Sequence, residues 1–155
     1  MIGDSGERMR EEVGDLWQQN SQGHWIGLAT NGAVSASGTA VMSPGLATIA
    51  AIRFPFLKQQ LGELLARSGN HVYAFPDYRL FTIPTTHVPS DRSDPDLITR
   101  SAEELLRYVT HMNLSTLYTV PLGCAPGQPL SALPCFLQVW RTRHRFQTAS
   151  VVPVR

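Results

Sequence analysis

From Trp25 to Ile52 the chain runs apolar, then small and polar, then apolar again. Trp25-Ile26-Gly27-Leu28-Ala29 has the continuous hydrophobicity of a buried strand. Thr30 to Gly45 carries Asn31 and the glycines at 32, 38 and 45, and Leu46 to Ile52 reads as a short helix. A strand that feeds a glycine-rich loop and then a helix is a building unit of α/β sheets, which restricts the fold class at once. The same unit brings backbone N–H groups, unobstructed by side chains, to a helix start whose dipole favours negative charge. The segment therefore suits a phosphate-bearing ligand, a nucleotide above all.

The rest of the chain continues the alternation. Val13 to Trp17 reads as the end of a short strand running into a turn. Pro55 opens a helix with Phe56, Leu57, Leu61, Leu64 and Leu65 on one face, and Gly69-Asn70 stops it. His71–Phe75 and Leu80–Ile83 read as two strands joined by the turn-forming Pro76-Asp77-Tyr78-Arg79. After a loop from Pro84 to Arg92, Ser93-Asp94-Pro95-Asp96 supplies a cap residue at Ser93, a proline in the first turn and an acid three places after the cap. Leu97, Ile98, Ala102, Leu105, Leu106, Val109 and Met112 then mark one apolar face. Leu117–Val120 reads as a strand entering a second small-residue loop, Gly123 to Gly127. Ser131–Trp140 follows as a helix limited by Pro134, and Ser150–Val154 as a final strand. Strands and helices in this order predict a three-layer α/β/α fold with a mixed central sheet, the hairpin-like pair supplying the antiparallel part. The domain organisation expected is a polar segment at residues 1–12 followed by one domain over 13–155.

Composition excludes several function classes. With 155 residues, 43% hydrophobic and 16% charged, the chain can bury one ordinary core. A net charge of +1 gives no basic excess for bulk nucleic-acid binding, and Arg141, Arg143, His144 and Arg145 read as a solvated turn or helix end. Cys124 and Cys135 lack the companions a zinc site needs, so no metal is expected and no cofactor either. Met1–Glu12 is polar and acidic, unlike a signal peptide, and no run of about 18 apolar residues exists, so a cytoplasmic protein with no membrane partner is expected.

The familiar phosphate fingerprints are missing. There is no Gly-x-x-x-x-Gly-Lys-[Ser/Thr] and no Gly-x-Gly-x-x-Gly after the first strand, so another nucleotide fold is required. Two strand-to-loop transitions, at Asn31–Gly45 and at Gly123–Gly127, can converge at the carboxyl edge of one sheet, where α/β folds bind ligands. In order along the chain stand Gly14-Asp15-Leu16-Trp17, Thr30-Asn31-Gly32, Ala40-Val41-Met42, Gly45-Leu46-Ala47 and Arg53-Phe54-Pro55. Gly69-Asn70, Val72-Tyr73, Ile83-Pro84-Thr85, Ser93 to Ser101 and Pro121-x-Gly123-Cys124 follow. This ordered set resembles the macro domain family, in particular its bacterial and phage-type branch, over roughly residues 13 to 153.

The resemblance implies a macro-domain-like fold that binds ADP-ribose or an ADP-ribosylated target in a cleft formed by two glycine-rich loops. Asp15, with Leu16 beside it, would meet the adenine amino group. Asn31 and Gly32 would meet the distal ribose. Ser43, Gly45 and Leu46, with Gly123, Cys124, Ala125 and Gly127, would hold the two phosphates through backbone N–H groups. The partners implied are ADP-ribose or a related nucleotide and ADP-ribosylated protein or nucleic acid. The alternative implied is a hydrolase of an ADP-ribose derivative, either ADP-ribose-1″-phosphate or an ADP-ribosylated macromolecule. Its catalytic candidates are Asn31, to position a water, and His87, as a general base suited to neutral pH. This chain departs from the branch at three points: Ala51 stands where relatives carry a lysine, Ser43-Pro44-Gly45 replaces Gly-Lys/Arg-Gly, and Pro84-Thr85-Thr86 replaces Pro-Thr-Lys. Without those amines a lysine-based mechanism has no agent here, which favours binding over turnover.

Overall fold

The computed structural model describes residues 9–43, 45–119 and 147–153; the side chains of 9–14 and 147–153 are outside the description. Among these residues six strands form one sheet in the order β1-β6-β5-β2-β4-β3. They are β1 (Met9–Gly14), β2 (Ile26–Thr30), β3 (Tyr73–Phe75), β4 (Leu80–Pro84), β5 (Thr116–Thr119) and β6 (Gln147–Pro153). All neighbours pair parallel except β3, which lies antiparallel to β4 across the turn Pro76–Tyr78. The mixed sheet and its hairpin are as the sequence predicts. β1 begins at Met9, so the sheet reaches into the segment read as polar.

Among the described residues four helices cover the sheet: α1 (Leu16–Ser21), α2 (Leu46–Arg53), α3 (Leu57–Ser68) and α4 (Pro95–His111). Alternation along β4 sends Leu80 to one face and Phe81 and Ile83 to the other. On the first face Ile26, Leu28 and Leu80 pack against Ala47 and Ala50 of α2 and Leu57, Leu61 and Leu65 of α3. On the second, Phe81, Ile83 and Leu117 pack against Ile98, Ala102, Leu105 and Val109 of α4. These two cores on opposite faces make three layers.

Two local readings are corrected. The turn read at Asp15–Trp17 is the start of α1, because the Asp15 carboxylate accepts the Trp17 N–H at 2.9 Å and so caps a helix. The cap of α4 is Asp94 and not Ser93: Asp94 Oδ1 accepts from the N–H groups of Asp96 (3.0 Å) and Leu97 (3.5 Å). A shift of one residue leaves the proline at the first helical position, where its missing N–H costs nothing. The helix read at Ser131–Trp140 lies outside the described residues.

The order of connection positions the site. After β2 the chain passes through α2, α3 and β3 to reach β4 on one side of β2, and α4 then carries it across the opposite face to β5 on the other side. The direction reverses at β2. In open α/β sheets the crevice outside the carboxyl ends of the strands at such a reversal is where ligands bind.

Candidate functional site

Three strand ends meet at the carboxyl edge. Asp15 follows β1, Asn31 follows β2 and Thr85 follows β4, with Thr30 and Pro84 in register as the last residues of their strands. β1 and β2 are three strand spacings apart, roughly 14 Å. Asp15 and Asn31 therefore mark two ends of one edge.

Asp15 is exposed and uses one carboxylate oxygen to cap α1. Leu16 has its side chain in the core at 4% exposure, so only its backbone can face a ligand. Trp17 holds the Arg53 guanidinium over its ring at 5.1 Å, which brings the end of α2 beside the start of α1.

The loop after β2 is more built than a plain cradle. Asn31 is buried and clasps it from within: Nδ2 donates to the Val41 carbonyl and Oδ1 accepts the Ala33 N–H, both at 2.9 Å. Val41 N–H donates to Ala33 O at 3.0 Å, and Val34 and Ala40 form an isolated antiparallel bridge. Residues 33–41 are thus a small closed lobe rather than an open phosphate loop. Each Asn31 polar atom still keeps capacity for a second hydrogen bond. Ser43 and Gly45 are exposed, with Gly45 at φ 78° as the cap residue of α2, and no side chain caps that helix. Leu46 opens the helix and packs partly into the core.

The segment after β4 lies directly against this turn. Gly32 N–H donates to the His87 carbonyl at 3.0 Å, and Thr85 N–H donates to Thr30 O at 3.0 Å. His87 Nε2 and Asp94 Oδ2 are 2.9 Å apart. The hydrogen bond from His87 holds the Asp94 carboxyl below the usual carboxylate range, and the Leu97 and Asp96 N–H groups add to the effect. Asn31, Gly32 and His87 therefore stand together. Gly123, Cys124, Ala125 and Gly127 lie outside the described residues.

Two groups at this edge were not singled out from the sequence. Asp94 is the partner of His87, and its place in the helix-start signature is the trace that could have found it. Asn70, read as part of a helix stop and of the Gly69-Asn70 pair in the family resemblance but given no role in the site, donates from Nδ2 to the Thr86 carbonyl at 3.1 Å. Local patterning gives no signal for that contact, which joins residues far apart in the chain. A separate cavity of about 950 Å³ lies between the end of α3, β3 and α4, lined by His71, Tyr73, Glu104, Arg107, Tyr108 and His111, and it shares no residue with the predicted site. Among the described residues no group of three or more His, Cys, Asp and Glu is placed to hold a metal ion, and no helix is long and apolar enough to cross a membrane.

Fold and edge together define the class: this is the macrodomain fold, α/β/α around a mixed sheet. The macrodomain of Thermus aquaticus DarG superposes with a TM-score of 0.74 at 18% identity, covering 96% of this chain and 100% of that one. The macrodomain of Mycobacterium tuberculosis DarG gives 0.70 at 16% identity, covering 95% and 99%. Thermosipho africanus DarTG, solved in complex with ADP-ribose, gives 0.70 at 14% identity over 94% of this chain and 42% of that longer one. No protein-family model matches the chain, and no curated protein is similar to it in sequence.

Proposed function

We propose that the protein binds ADP-ribose, free or as part of an ADP-ribosylated target, along the carboxyl edge of its sheet. The observation that carries this reading is the alignment of Asp15, the Asn31–Gly32 turn and the start of α2 along one edge of a macrodomain fold, a fold shared with part of Thermosipho africanus DarTG, which was solved in complex with ADP-ribose. Asp15 has a carboxylate oxygen not used in capping, suited to an exocyclic amino donor. The uncapped start of α2 offers backbone N–H groups and a positive dipole end to phosphate. Asn31 retains one N–H and one lone pair for a ribose hydroxyl. In this reading Gly123, Cys124, Ala125 and Gly127 complete the phosphate site. Calorimetric titration with ADP-ribose, ADP and AMP tests it: ADP-ribose is expected to bind most tightly, and Asp15→Ala to weaken all three about tenfold, the loss of one hydrogen bond to a charged group. Equal affinity for the three nucleotides, or unchanged binding in Asp15→Ala, overturns it.

One observation favours a second reading, hydrolysis of an ADP-ribose derivative. His87 and Asp94 form a hydrogen-bonded pair beside the Asn31–Gly32 turn. With the proton on Nε2 directed at Asp94, the Nδ1 lone pair can take a proton from water, the arrangement a general base needs. Incubation with ADP-ribose-1″-phosphate and with ADP-ribosylated protein and nucleic acid decides between binding and turnover. If turnover occurs, His87→Gln is expected to lower kcat roughly 100-fold; an unchanged kcat removes His87 from the reaction.

A further inference from the structure

Asn70 sits where four parts of the molecule meet. Its backbone carbonyl accepts from the Arg100 guanidinium of α4, and its neighbour His71 meets Glu104 of the same helix through Nδ1 at 2.9 Å. Glu104 also pairs with Arg100, at 3.4 Å. α4 thus holds the Asn70 carbonyl and the side chain of the next residue, His71. That side chain reaches the other way, donating from Nδ2 to the Thr86 carbonyl at 3.1 Å.

The Asn70 side chain also packs close against Gly32. A Cβ placed on Gly32 would stand 2.7 Å from Asn70 Cγ and 2.8 Å from Nδ2, closer than carbon atoms approach without something moving. Residue 32 is glycine because Asn70 occupies the space its side chain would need. Gly32 N–H is bonded to His87 O on the other side, so the turn is held between Asn70 and the segment after β4. Asn70 Oδ1 is buried and has no partner among the described residues. A buried amide that forgoes one hydrogen bond loses stability, and such a loss is tolerated where shape or a bound group requires the residue.

We infer that Asn70 is a positioning residue for sugar recognition: it sets the Asn31–Gly32 turn against Thr86 at the height at which Asn31 meets a distal ribose. This rests on the reading of the site given above, in which Asn31 contacts that ribose. Asn70 touches no ligand in this account, and it acts through the turn it supports.

The test is the ratio of ADP-ribose to ADP affinity, since ADP lacks the distal ribose. In Asn70→Ala, and in Asn70→Asp, which keeps the shape but removes the donor, ADP affinity is expected to stay within about twofold while ADP-ribose affinity falls about tenfold. A residue that only stabilises the fold would move both nucleotides together or neither. Gly32→Ala is expected to produce the same selective loss, and in the Asn70→Ala background, where the two nearest atoms are removed and only Cβ at 3.0 Å remains, to cause at least threefold less damage than alone. A ratio unchanged in both Asn70 variants, a parallel loss of ADP and ADP-ribose, or fully additive effects of the two alanine substitutions overturns the inference while leaving ADP-ribose binding standing. A parent chain that does not prefer ADP-ribose to ADP overturns both.

Discussion

Asp94 uses its two carboxylate oxygens for different partners, Oδ1 for the first N–H groups of α4 and Oδ2 for the His87 imidazole. Both partners favour the ionised form, His87 most, and the folded-state pKa is depressed. A depressed carboxyl contributes stability that is present above its unfolded value and is lost as pH falls through the folded one. Asp94→Asn keeps a good cap but removes the charge. The parent chain should therefore be more stable than Asp94→Asn near neutrality, and the difference should fade below about pH 4 in denaturant titrations run across pH. A difference constant from pH 2 to 7 contradicts the assignment. The sequence signature located this cap to within one residue; Asp94 rather than Ser93 is the cap because the residue before Pro95 avoids helical backbone angles, and Asp94 is extended.

Element packing explains what was legible and what was not. α4 declares itself by a one-sided apolar face and a start signature, and Leu105 at 0% exposure is the centre of that face. Leu105→Ala should cost about 2–5 kcal/mol in unfolding free energy. The lobe formed by residues 33–41 has no comparable local signal, because α3 shapes it from a distance. Ala40 N–H donates to the Lys58 carbonyl at 2.8 Å, and a Cβ on Gly62 would lie 2.2 Å from the Gly38 carbonyl oxygen. The helix backbone and the loop backbone touch at Gly62. Alanine in an open helix position is better than glycine by about 1 kcal/mol, yet here Gly62→Ala should lower stability by roughly 1–3 kcal/mol, as an added methyl does in a filled interior. A gain in denaturation midpoint would show that α3 does not press on the lobe. Likewise Pro55, read as a helix start, precedes α3 by two residues, since Phe54 closes α2 and Leu57 N–H folds back to its carbonyl at 3.0 Å.

At the scale of the whole molecule, the reversal of direction at β2 is what gathers separate sequence motifs into one edge. Asn31 was legible from its strand-to-loop transition, Asp15 from the family resemblance and His87 from its place in the loop before α4; all three follow strands, and strand ends share an edge when the sheet is parallel. Their supports, Asp94 and Asn70, were not, because hydrogen bonds between separate loops leave no periodicity in the chain. The central claim is that this folded edge binds ADP-ribose, and thermal unfolding with increasing ADP-ribose measures it most directly. A ligand that binds only the native state stabilises it by about 2.7 kcal/mol at 100 times its dissociation constant, which for a chain of this size raises Tm by roughly 5–10 °C. Tm is expected to climb with the logarithm of ADP-ribose concentration; a Tm that stays flat up to millimolar ADP-ribose would contradict binding at this edge.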